Sequence, residues 1–355
     1  MLTALHKKAG HMLGYPINCS SRCADAITPY LDIVVNNLGD PYGSSNYSVN
    51  SFAEERAIVF HLAKLFHLAP AAAWGYVTAS GSEGNWRGLS LGLRRFAQAR
   101  VYCSDKAHYS VFNACEMMRL SPVVIPSLLN HSIDADCLGR MLDNKRPAVI
   151  CLTAGTTMSG AIDDIARVCK LVADAEVDHY IHIDAALSGF ILPFLQNAPA
   201  FDFALPIDSI SVSGHKMLGC PFACGVFISR RKHRPVRPVE YIGANNATLF
   251  GSRNGLAPLA IWHNLKNLDL PKIVGQCITV SQLLLSQLDS IGWSSWRNEH
   301  SNTVMLARPA NWLIEKWQLA IEGEWAHVIT MPRVGETQLA EFVADLKREK
   351  DGDPR

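Results

Sequence analysis

The sequence has little net charge and no long apolar run. Its 33 lysine and arginine residues nearly balance its 32 aspartate and glutamate residues, which leaves a net charge of +1 at pH 7. This balance gives no reason to expect nucleic acid or an anionic membrane as a partner. No stretch approaches the roughly 20 apolar residues that a membrane-spanning helix needs. The sequence also contains no internal repeat and no low-complexity tract.

The ten cysteines do not have the spacing of a metal site. Cys19 and Cys23 form a close pair, as do Cys220 and Cys224, but their surroundings do not match a zinc-binding motif. The first ten residues are not followed by the apolar segment of a secretory signal. We therefore expect no bound metal, and reduced thiols in a cytoplasmic protein.

Strand and helix patterns alternate along much of the chain. With 355 residues, of which 48% are hydrophobic and 18% are charged, the chain suits one large domain and a smaller one. The predicted strands are Trp74–Thr78, Arg100–Ser104, Val123–Ile125, Ala148–Leu152, Tyr180–Ile183, Ser209–Val212 and Gly225–Ile228. This alternation predicts an α/β fold whose mostly parallel sheet is covered by helices on both faces. We expect an N-terminal segment (1–45), a large cofactor-binding domain (46–240) and a small C-terminal α+β domain (241–355).

Local patterns predict five further features. Arg22–Val35 is a helix candidate, and Phe52–Phe66 is a clear helix. We expect Asp163 to cap the helix that follows it. The basic, proline-rich stretch 230–238 is interpreted as a solvated connector. The apolar face of the helix Phe52–Phe66 is predicted to contain Ala53, Ala57, Phe60, Lys64 and Leu65.

One lysine lies in an apolar setting. Lys216 ends the stretch Ser211–Lys216, and small or apolar residues surround it on both sides. Poor hydration lowers the pKa of such an amine and makes it nucleophilic. Asp184 ends another apolar strand pattern. A lysine that forms a Schiff base and an aspartate that holds the pyridinium nitrogen are the main protein contacts of pyridoxal phosphate, so the pair predicts that cofactor.

A small-residue turn, Ala79–Asn85, separates the strand that ends at Thr78 from a helix. A helix N-terminus offers unpaired N–H groups and a favourable dipole, so this turn could bind a phosphate. It could equally be a simple tight turn in which Ser80 or Ser82 caps the helix. Ligands of such folds bind beyond the C-terminal ends of the strands. The residues that follow strand ends include His108, Thr156, Asp184 and Lys216.

Eight motifs carry a resemblance to a known family. They are N-N-L-G-D-P (Asn36–Pro41), W-G-Y-V-T (Trp74–Thr78), S-E-G-N (Ser82–Asn85), H-Y-S-V (His108–Val111), G-T-T (Gly155–Thr157), H-I-D-A-A-L-S-G (His182–Gly189), S-V-S-G-H-K (Ser211–Lys216) and G-S-R-N-G (Gly251–Gly255). Each motif is weak alone, but eight in the right order are a strong signal. From about Gly14 to about Leu346 the chain resembles the pyridoxal-phosphate-dependent group II amino-acid decarboxylases. It is most similar to bacterial histidine decarboxylases and plant serine decarboxylases.

The resemblance implies the fold type I, aspartate-aminotransferase-like architecture and a role for each motif residue. Lys216 would form the Schiff base, Asp184 would bond the pyridine nitrogen, and His108 would stack on the ring. Ser252 would reach the phosphate of the neighbouring subunit, which implies a homodimer with shared active sites. The other cofactor contacts would be a phosphate cup of Ser80, Gly81 and Ser82, with Ser213 and His215 beside the phosphate, Thr156 near the ring edge and Ala186 beneath the ring.

The substrate is less clearly indicated than the cofactor. Histidine, converted to histamine with release of carbon dioxide, is the first prediction, because Ala185–Phe194 and Trp296–Asn298 resemble the histidine enzymes. Serine or another small amino acid is the alternative, because Asn36–Pro41 and Trp317–Ala320 resemble the serine enzymes. An enzyme of the same fold could instead catalyse aldol cleavage or oxidative deamination. The candidates for substrate contacts are Arg253, Tyr47, Asn46, Leu256 and Tyr109.

Overall fold

The computed structural model describes residues 2–18 and 23–352. Its centre is a seven-stranded sheet in the order β1-β7-β6-β5-β4-β2-β3. The strands are β1 (Ala73–Thr78), β2 (Arg100–Ser104), β3 (Val123–Ile125), β4 (Ala148–Thr153), β5 (His179–Asp184), β6 (Ser209–Ser213) and β7 (Gly225–Arg230). Strands β3, β2, β4, β5 and β6 pair in parallel, and β7 is antiparallel to both of its neighbours. All seven predicted strands are therefore present, each within two residues of its predicted ends.

The sheet is buried on both faces, as its sequence pattern predicted. Along β4, Val149 and Cys151 belong to one apolar cluster, whereas Ile150 and Leu152 belong to the other. The described helices are α1 (Leu2–Gly10), α2 (Ala24–Ile27), α3 (Phe52–Leu65), α4 (Gly81–Arg95), α5 (Tyr109–Met117), α6 (Ala135–Met141), α7 (Ile165–Asp174), α8 (Leu256–Asn267), α9 (Leu270–Ser290), α10 (Asn311–Trp317) and α11 (Glu336–Lys350). Because side chains alternate across a strand, helices on both sides are needed to cover such a sheet. The predicted α/β fold with a mostly parallel sheet is confirmed.

A second, antiparallel sheet follows in the C-terminal third. Its order is β10-β11-β13-β12, and a two-stranded ribbon of β8 and β9 precedes it. The N-terminal segment joins this second sheet, since Ile329 N–H donates to the Leu13 carbonyl at 2.8 Å. The strands are β8 (Pro238–Val239), β9 (Ala244–Asn245), β10 (Ser295–Trp296), β11 (Thr303–Ala307), β12 (Ala320–Glu322) and β13 (Trp325–Ile329). The domain boundaries at 45 and 240 stay predictions.

The helix predicted from Arg22 to Val35 is wrong over most of its length. Arg22, like Cys19, lies outside the described residues. Between residues 23 and 35 the chain forms only the one-turn helix α2 and a 3-10 turn at Thr28–Tyr30. Pro29 has no N–H group to donate to a preceding carbonyl, which explains why the α-helix does not continue.

The buried face of α3 also differs from the prediction. Ala53 and Lys64 are exposed, and Ala57, Phe60 and Leu65 are only partly buried. The buried residues are Phe52, Glu55, Ile58, Val59, Leu62 and Ala63. The buried face is therefore shifted around the helix from the predicted one, and it includes a charged residue, Glu55. Its carboxylate is fully buried and forms an ion pair with Arg253.

Asp163 does not cap α7. Asp164 does so, accepting from Arg167 N–H at 3.0 Å. Asp163 is buried instead and accepts backbone bonds from Ile133 and Thr153, both at 2.7 Å. The side chain thus ties the end of β4 to the segment before α6 rather than capping a helix.

The stretch 230–238 is only partly a solvated connector. Arg230 Nε donates to the Ile207 carbonyl at 2.8 Å, and Arg234 Nε donates to buried Asp40 at 2.6 Å. His233 is buried against Asp208. Several of these basic side chains therefore serve to hold neighbouring segments. Among the helices of residues 2–18 and 23–352, none is long and apolar enough to cross a membrane.

Candidate active site

A cavity of about 300 Å³ lies at the C-terminal ends of the parallel strands, where ligands of this fold class bind. Ten of the eleven predicted site residues line it together. They are Ser80, Gly81, Ser82, His108, Thr156, Asp184, Ala186, Ser213, His215 and Lys216. They belong to the ends of three strands (β4, β5 and β6) and the starts of two helices (α4 and α5), so the sheet topology is what brings them together.

Lys216 lies on the connection from β6 to β7. Burial lowers the pKa of its amine, and the nearby negative charge of Asp184 partly opposes that shift. Met217 and Leu218, which follow it, are fully buried. Gly219 N–H donates to the Lys216 carbonyl at 3.1 Å, and its φ of +71° is a turn conformation that glycine adopts without strain. The amine is therefore held in the cavity by a buried, tightly turned loop.

Asp184 ends β5 and points into the same cavity. Its side chain is nearly buried, with 5% of the residue exposed. One oxygen accepts from Ala186 N–H at 3.1 Å, and the other accepts from Asn85 Nδ2 at 2.7 Å. Two donors on two different elements thus fix the direction of this carboxylate.

The turn between β1 and α4 brings a helix N-terminus to the cavity. Ser80 is the N-cap of α4, and its hydroxyl accepts from Glu83 N–H at 3.3 Å. A Cβ on Gly81 would lie 2.7 Å from Ser213 Oγ, so only glycine lets the two segments approach this closely. The tight turn in which Ser80 caps the helix, one of the two alternatives from the sequence, is therefore present. Because Ser80, Gly81 and Ser82 all line the cavity, the same turn also has the geometry of an anion site.

His108 is the N-cap of α5. Its Nδ1 accepts from Ser110 N–H at 3.3 Å and lies 2.8 Å from Ser110 Oγ. Burial lowers the pKa of the imidazole, while the charges of Asp184 and Lys216 act on it in opposite directions. The ring of Tyr109 lies beside it at 4.1 Å between centroids. The lowered pKa keeps the His108 ring neutral at pH 7, and this side chain lines the cavity.

Thr156 and His215 are anchored by bonds within their own loops. Thr156 Oγ1 accepts from Ala161 N–H at 3.0 Å and lies 3.0 Å from Ser159 Oγ. His215 Nδ1 lies 2.9 Å from the Cys224 carbonyl, and burial lowers the pKa of this ring. Both side chains therefore reach the cavity from short, well-braced loops.

Ser252 lies outside this cavity. It is exposed, and its Oγ accepts from Asn36 Nδ2 at 3.3 Å. It lines a smaller neighbouring cavity that shares only Ala223 with the first. Within one chain Ser252 therefore does not meet Lys216.

The suggested substrate contacts are mostly elsewhere. Tyr109 lines the Lys216 cavity, but Asn46, Tyr47, Arg253 and Leu256 do not. Arg253 is buried against Glu55 and donates to the Gly39 carbonyl at 2.9 Å. The guanidinium is therefore used to hold the fold.

One wall of the cavity was not predicted from the sequence. This wall comes from the two ends of the described chain: Gly14, Tyr15, Pro16, Ala320, His327 and Ile329. His327 is buried, and its ring nitrogens lie 2.6 Å from the Met158 carbonyl and 2.9 Å from the Gly14 carbonyl. No local pattern could have revealed this wall, because its members are about 300 positions apart. Asn85 was also missed, although it stands in the S-E-G-N motif.

These residues fit pyridoxal phosphate. A buried amine of lowered pKa, a fixed carboxylate, a helix N-terminus with serine hydroxyls and a neutral imidazole converge on one cavity. The amine suits the cofactor's aldehyde, the carboxylate its ring nitrogen and the helix N-terminus its phosphate. Because Gly81 has no side chain, the space at the start of the helix, beside Ser213, stays open for the phosphate. Fold and donor set together define a pyridoxal-phosphate enzyme.

Comparison with known proteins specifies the class further. Residues 94–246 match the family model of the pyridoxal-dependent decarboxylase conserved domain. Serine decarboxylase 3 of Oryza sativa is 38% identical over 348 residues, which cover 95% of this chain and 78% of the rice protein. Histidine decarboxylase of Acinetobacter baumannii is 36% identical over 343 residues, covering 94% and 89% respectively. The chain belongs to the pyridoxal-dependent decarboxylase family.

Solved structures agree on the fold. L-methionine decarboxylase from Streptomyces sp. 590 superposes with a TM-score of 0.89 at 23% identity, covering 98% of this chain and 92% of that one. Glutamate decarboxylase of Lactobacillus brevis has a TM-score of 0.82 at 19% identity, covering 98% and 90%. The fold is therefore the type I fold of these enzymes. The protein is a pyridoxal-phosphate-dependent amino-acid decarboxylase, and the predictions of cofactor and reaction class are confirmed.

Proposed function

We propose that this decarboxylase acts on a small, uncharged L-amino acid, with serine as the first candidate. The observation that carries this proposal is the cavity volume of about 300 Å³. That volume is at the low end of the range of about 300–1,000 Å³ for a single small ligand. Here the cofactor and the substrate must share it, so within one chain little room is left for a substrate side chain.

The charges around the cavity support an uncharged substrate. Among the described residues that line it, Asp184 is the only carboxylate and Lys216 the only lysine or arginine. We assign Asp184 to the ring nitrogen of the cofactor and Lys216 to its aldehyde. Neither is then available to pair with a charged substrate side chain, and a buried unpaired charge is costly. The 38% identity to rice serine decarboxylase 3 points in the same direction.

Histidine is the second candidate. Tyr15 and Tyr109 line the cavity, and such aromatic side chains offer surfaces on which a neutral imidazole ring could stack. Relatives named histidine decarboxylase from Solanum lycopersicum and Acinetobacter baumannii are 36% identical. Histidine ranks second because its side chain needs more of the limited volume.

Each site residue has a proposed task. When bound, pyridoxal phosphate accepts into its ring the electron pair left on the substrate's α-carbon as carbon dioxide departs. Asp184 keeps a proton on the ring nitrogen, because an adjacent anion favours the charged form. His108 fixes the plane of the ring, with Ala186 and Thr156 bounding it. The helix N-terminus at Ser80, Gly81 and Ser82, together with Ser213 and His215, holds the phosphate.

Lys216 and His108 are the proposed proton carriers. Burial lowers the pKa of both side chains, which brings the Lys216 amine closer to neutral pH and keeps the His108 imidazole in its neutral form at pH 7. Both line the cavity, Lys216 from the connection after β6 and His108 from the start of α5. The α-carbon must receive a proton before the amine product leaves, and these two groups are placed to deliver it.

We further propose that two chains complete each other's active sites. Ser252 is exposed and lies outside the Lys216 cavity of its own chain. Several apolar side chains are exposed in the segments that surround it. Hydrogen bonds connect these segments: Asn36 Nδ2 donates to Ser252 Oγ, and Tyr47 OH donates to the Val34 carbonyl at 2.7 Å. The exposed apolar side chains include Leu31, Ile33, Val34, Val49, Tyr241 and Phe250. Exposed apolar groups of this kind are typical of a protein interface, and a second copy would place Ser252 at the partner's phosphate site.

The test is a screen of carbon dioxide and amine release by the purified holoenzyme across the twenty amino acids. We expect serine or another small uncharged amino acid to be turned over with the highest kcat/KM. A kcat/KM for histidine at least tenfold higher would overturn the small-substrate proposal. Release of an aldehyde or ammonia without carbon dioxide would instead favour aldol cleavage or oxidative deamination.

Lys216→Ala tests the cofactor attachment separately. We expect the variant to lose both the yellow absorbance and the activity, since no other amine lines the cavity in the described chain. Lys170→Ala is the matched control, because Lys170 pairs with Asp174 on the surface of α7. A Lys216→Ala protein that stays yellow, or a colourless wild type, would contradict the assignment.

A further inference from the structure

Asn85 lies at the centre of a buried hydrogen-bond network beneath the cavity. It is in the second turn of α4, and 1% of it is exposed. Its amide nitrogen donates to Asp184 Oδ2 at 2.7 Å and to Ser110 Oγ at 3.0 Å. Its amide oxygen accepts from Ser211 Oγ at 2.7 Å and lies 3.1 Å from His182 Nε2. All four hydrogen-bonding positions of the amide are therefore used.

The partners leave only one orientation of the amide. A carboxylate oxygen of Asp184 can only accept, so the nitrogen of Asn85 must face it. The oxygen then faces His182, whose Nε2 must carry the proton. His182 Nδ1 is left as the acceptor for Ser209 Oγ at 2.8 Å. A fully buried imidazole thus braces the amide from behind.

The same orientation determines the state of His108. Because Ser110 Oγ accepts from Asn85, its own hydroxyl proton is free to point at His108 Nδ1, 2.8 Å away. Ser110 N–H points at the same nitrogen from 3.3 Å. His108 Nδ1 therefore has two donors aimed at it and carries no proton. In the neutral ring the proton must then lie on Nε2.

We propose that Asn85 is a positioning residue that, through one carboxamide, fixes both the direction of the Asp184 carboxylate and the Nε2–H tautomer of His108. The inference rests on the proposed roles of Asp184 and His108 toward the cofactor. It adds that these two groups, on β5 and at the start of α5, are set by one amide on α4. Without that amide the carboxylate loses its shortest bond, and the serine hydroxyl loses the donor that directs it.

The tautomer can be read in the protein without cofactor, independently of any activity. Histidine labelled with ¹⁵N gives distinct nitrogen shifts for protonated and unprotonated ring positions, and His108→Gln assigns the signal. We expect wild-type His108 to show an unprotonated Nδ1 and a protonated Nε2 at pH 8. In Asn85→Ala and Ser110→Ala the backbone N–H of Ser110 remains as a donor at 3.3 Å, but the shorter, directed hydroxyl bond is lost, so both variants should show a measurable minor fraction of the Nδ1–H tautomer that the wild type lacks.

Cofactor affinity distinguishes the bond from Asn85 to Asp184 from the bond to Ser110 that leads to His108. Asn85→Ala should raise the dissociation constant of pyridoxal phosphate about tenfold, because Asp184 loses its 2.7 Å donor. Ser110→Ala keeps that bond and should have the smaller effect. Ser229→Ala is the control, since Ser229 is a fully buried serine on β7 that has no part in the network. It should change neither the tautomer nor the affinity.

Two results would overturn the inference. One is a wild-type His108 that carries its proton on Nδ1, and the other is Asn85→Ala and Ser110→Ala proteins that both keep a single Nε2–H tautomer. If Asn85→Ala does not fold, Ser110→Ala still decides the tautomer question. Failure of the substrate screen would leave the tautomer measurement unaffected, so the two proposals can fail separately.

Discussion

Three segments of the site approach one another closely at Gly81. A Cβ there would lie 2.7 Å from Ser213 Oγ and 3.5 Å from the Cβ of Ala186. The glycine stands at the start of α4, so its backbone faces the proposed phosphate position. The absence of a side chain is therefore a property of the binding site rather than of the turn alone.

Gly81→Ala is expected to weaken cofactor binding much more than it weakens the fold. The added methyl displaces Ser213, while the rest of the helix is kept, so we expect the dissociation constant of pyridoxal phosphate to rise at least tenfold. Absorbance titration of the cofactor-free protein measures this. Gly275→Ala on α9 is the control, because no atom lies within 4 Å of its added Cβ. Equal cofactor affinity in the two variants would contradict the prediction.

His182 makes the stability depend on pH. Burial lowers the pKa of its imidazole to about 4, from an ordinary value of about 6.5. Between these values the unfolded chain binds a proton that the folded protein does not. The free energy of unfolding therefore falls as the pH falls through this window, and this contribution is complete only above about pH 6.5.

We expect His182 to contribute about 2.5 kcal/mol to the loss of stability between pH 7.5 and pH 4.5. Urea unfolding at both pH values measures the loss. His182→Gln should show a smaller difference between the two pH values, because it has no group to titrate. His6→Gln, at an exposed position on α1, should behave like the wild type. A His182→Gln protein with the full wild-type pH dependence would rule out this source.

At the scale of elements, a buried ion pair joins α3 to β1 and to the segment before α8. Glu55 on α3 pairs with Arg253. The same carboxylate accepts from Asn37 Nδ2 and from Val77 N–H, both at 2.7 Å. Removing one member of such a buried pair leaves the other charge without compensation. The pair therefore holds the edge of the sheet against the segment that carries Ser252.

Glu55→Ala should lower the free energy of unfolding by at least about 3 kcal/mol. Asp174→Ala, which breaks the exposed pair with Lys170 on α7, should cost less than about 0.5 kcal/mol. Urea unfolding at pH 7.5 compares the two variants. Similar losses in both would show that the buried pair does not have the structural role assigned to it.

At the scale of the whole molecule, the cavity joins parts of the chain that are far apart in sequence. Leu13 N–H donates to the Trp317 carbonyl at 2.9 Å, and the Gly14 carbonyl is held by His327. These bonds attach the N-terminal segment to the second sheet and set both against the strand ends of the first sheet. This wall of the cavity is therefore built by tertiary contacts.

A mixed dimer tests whether the site is shared between chains. We expect Lys216→Ala and Ser252→Glu homodimers to be inactive, the second because a carboxylate replaces the hydroxyl at the partner's phosphate. A heterodimer of the two variants, isolated through different tags, should regain activity at the site where an intact Lys216 meets the partner's intact serine. An inactive heterodimer, or an active Ser252→Glu homodimer, would contradict the shared site. Elution at the mass of one 39.0 kDa chain would do the same.

The sequence by itself predicted the central sheet and most of the candidate site. Both depend on local physics. Alternating apolar runs bounded by turns define buried strands, and polar residues that follow such strands meet at one edge of a parallel sheet. Lys216, Asp184 and His108 follow such strands; the pair of Lys216 and Asp184 indicated the cofactor, and the family motifs added the stacking role of His108 and the reaction class. The misassigned face of α3 had a local cause too, since Glu55 carries no sign in the sequence that it is buried.

The tertiary structure decided what no short window of sequence contains. The wall of Gly14, His327 and Ile329 forms only when the two ends of the chain meet. The orientation of the Asn85 amide depends on partners from β5, β6 and α5. The cavity volume, on which the substrate proposal rests, depends on how all of these segments pack around the cavity. Local patterns determine which residues are available, but only the packing of distant segments determines how close they come.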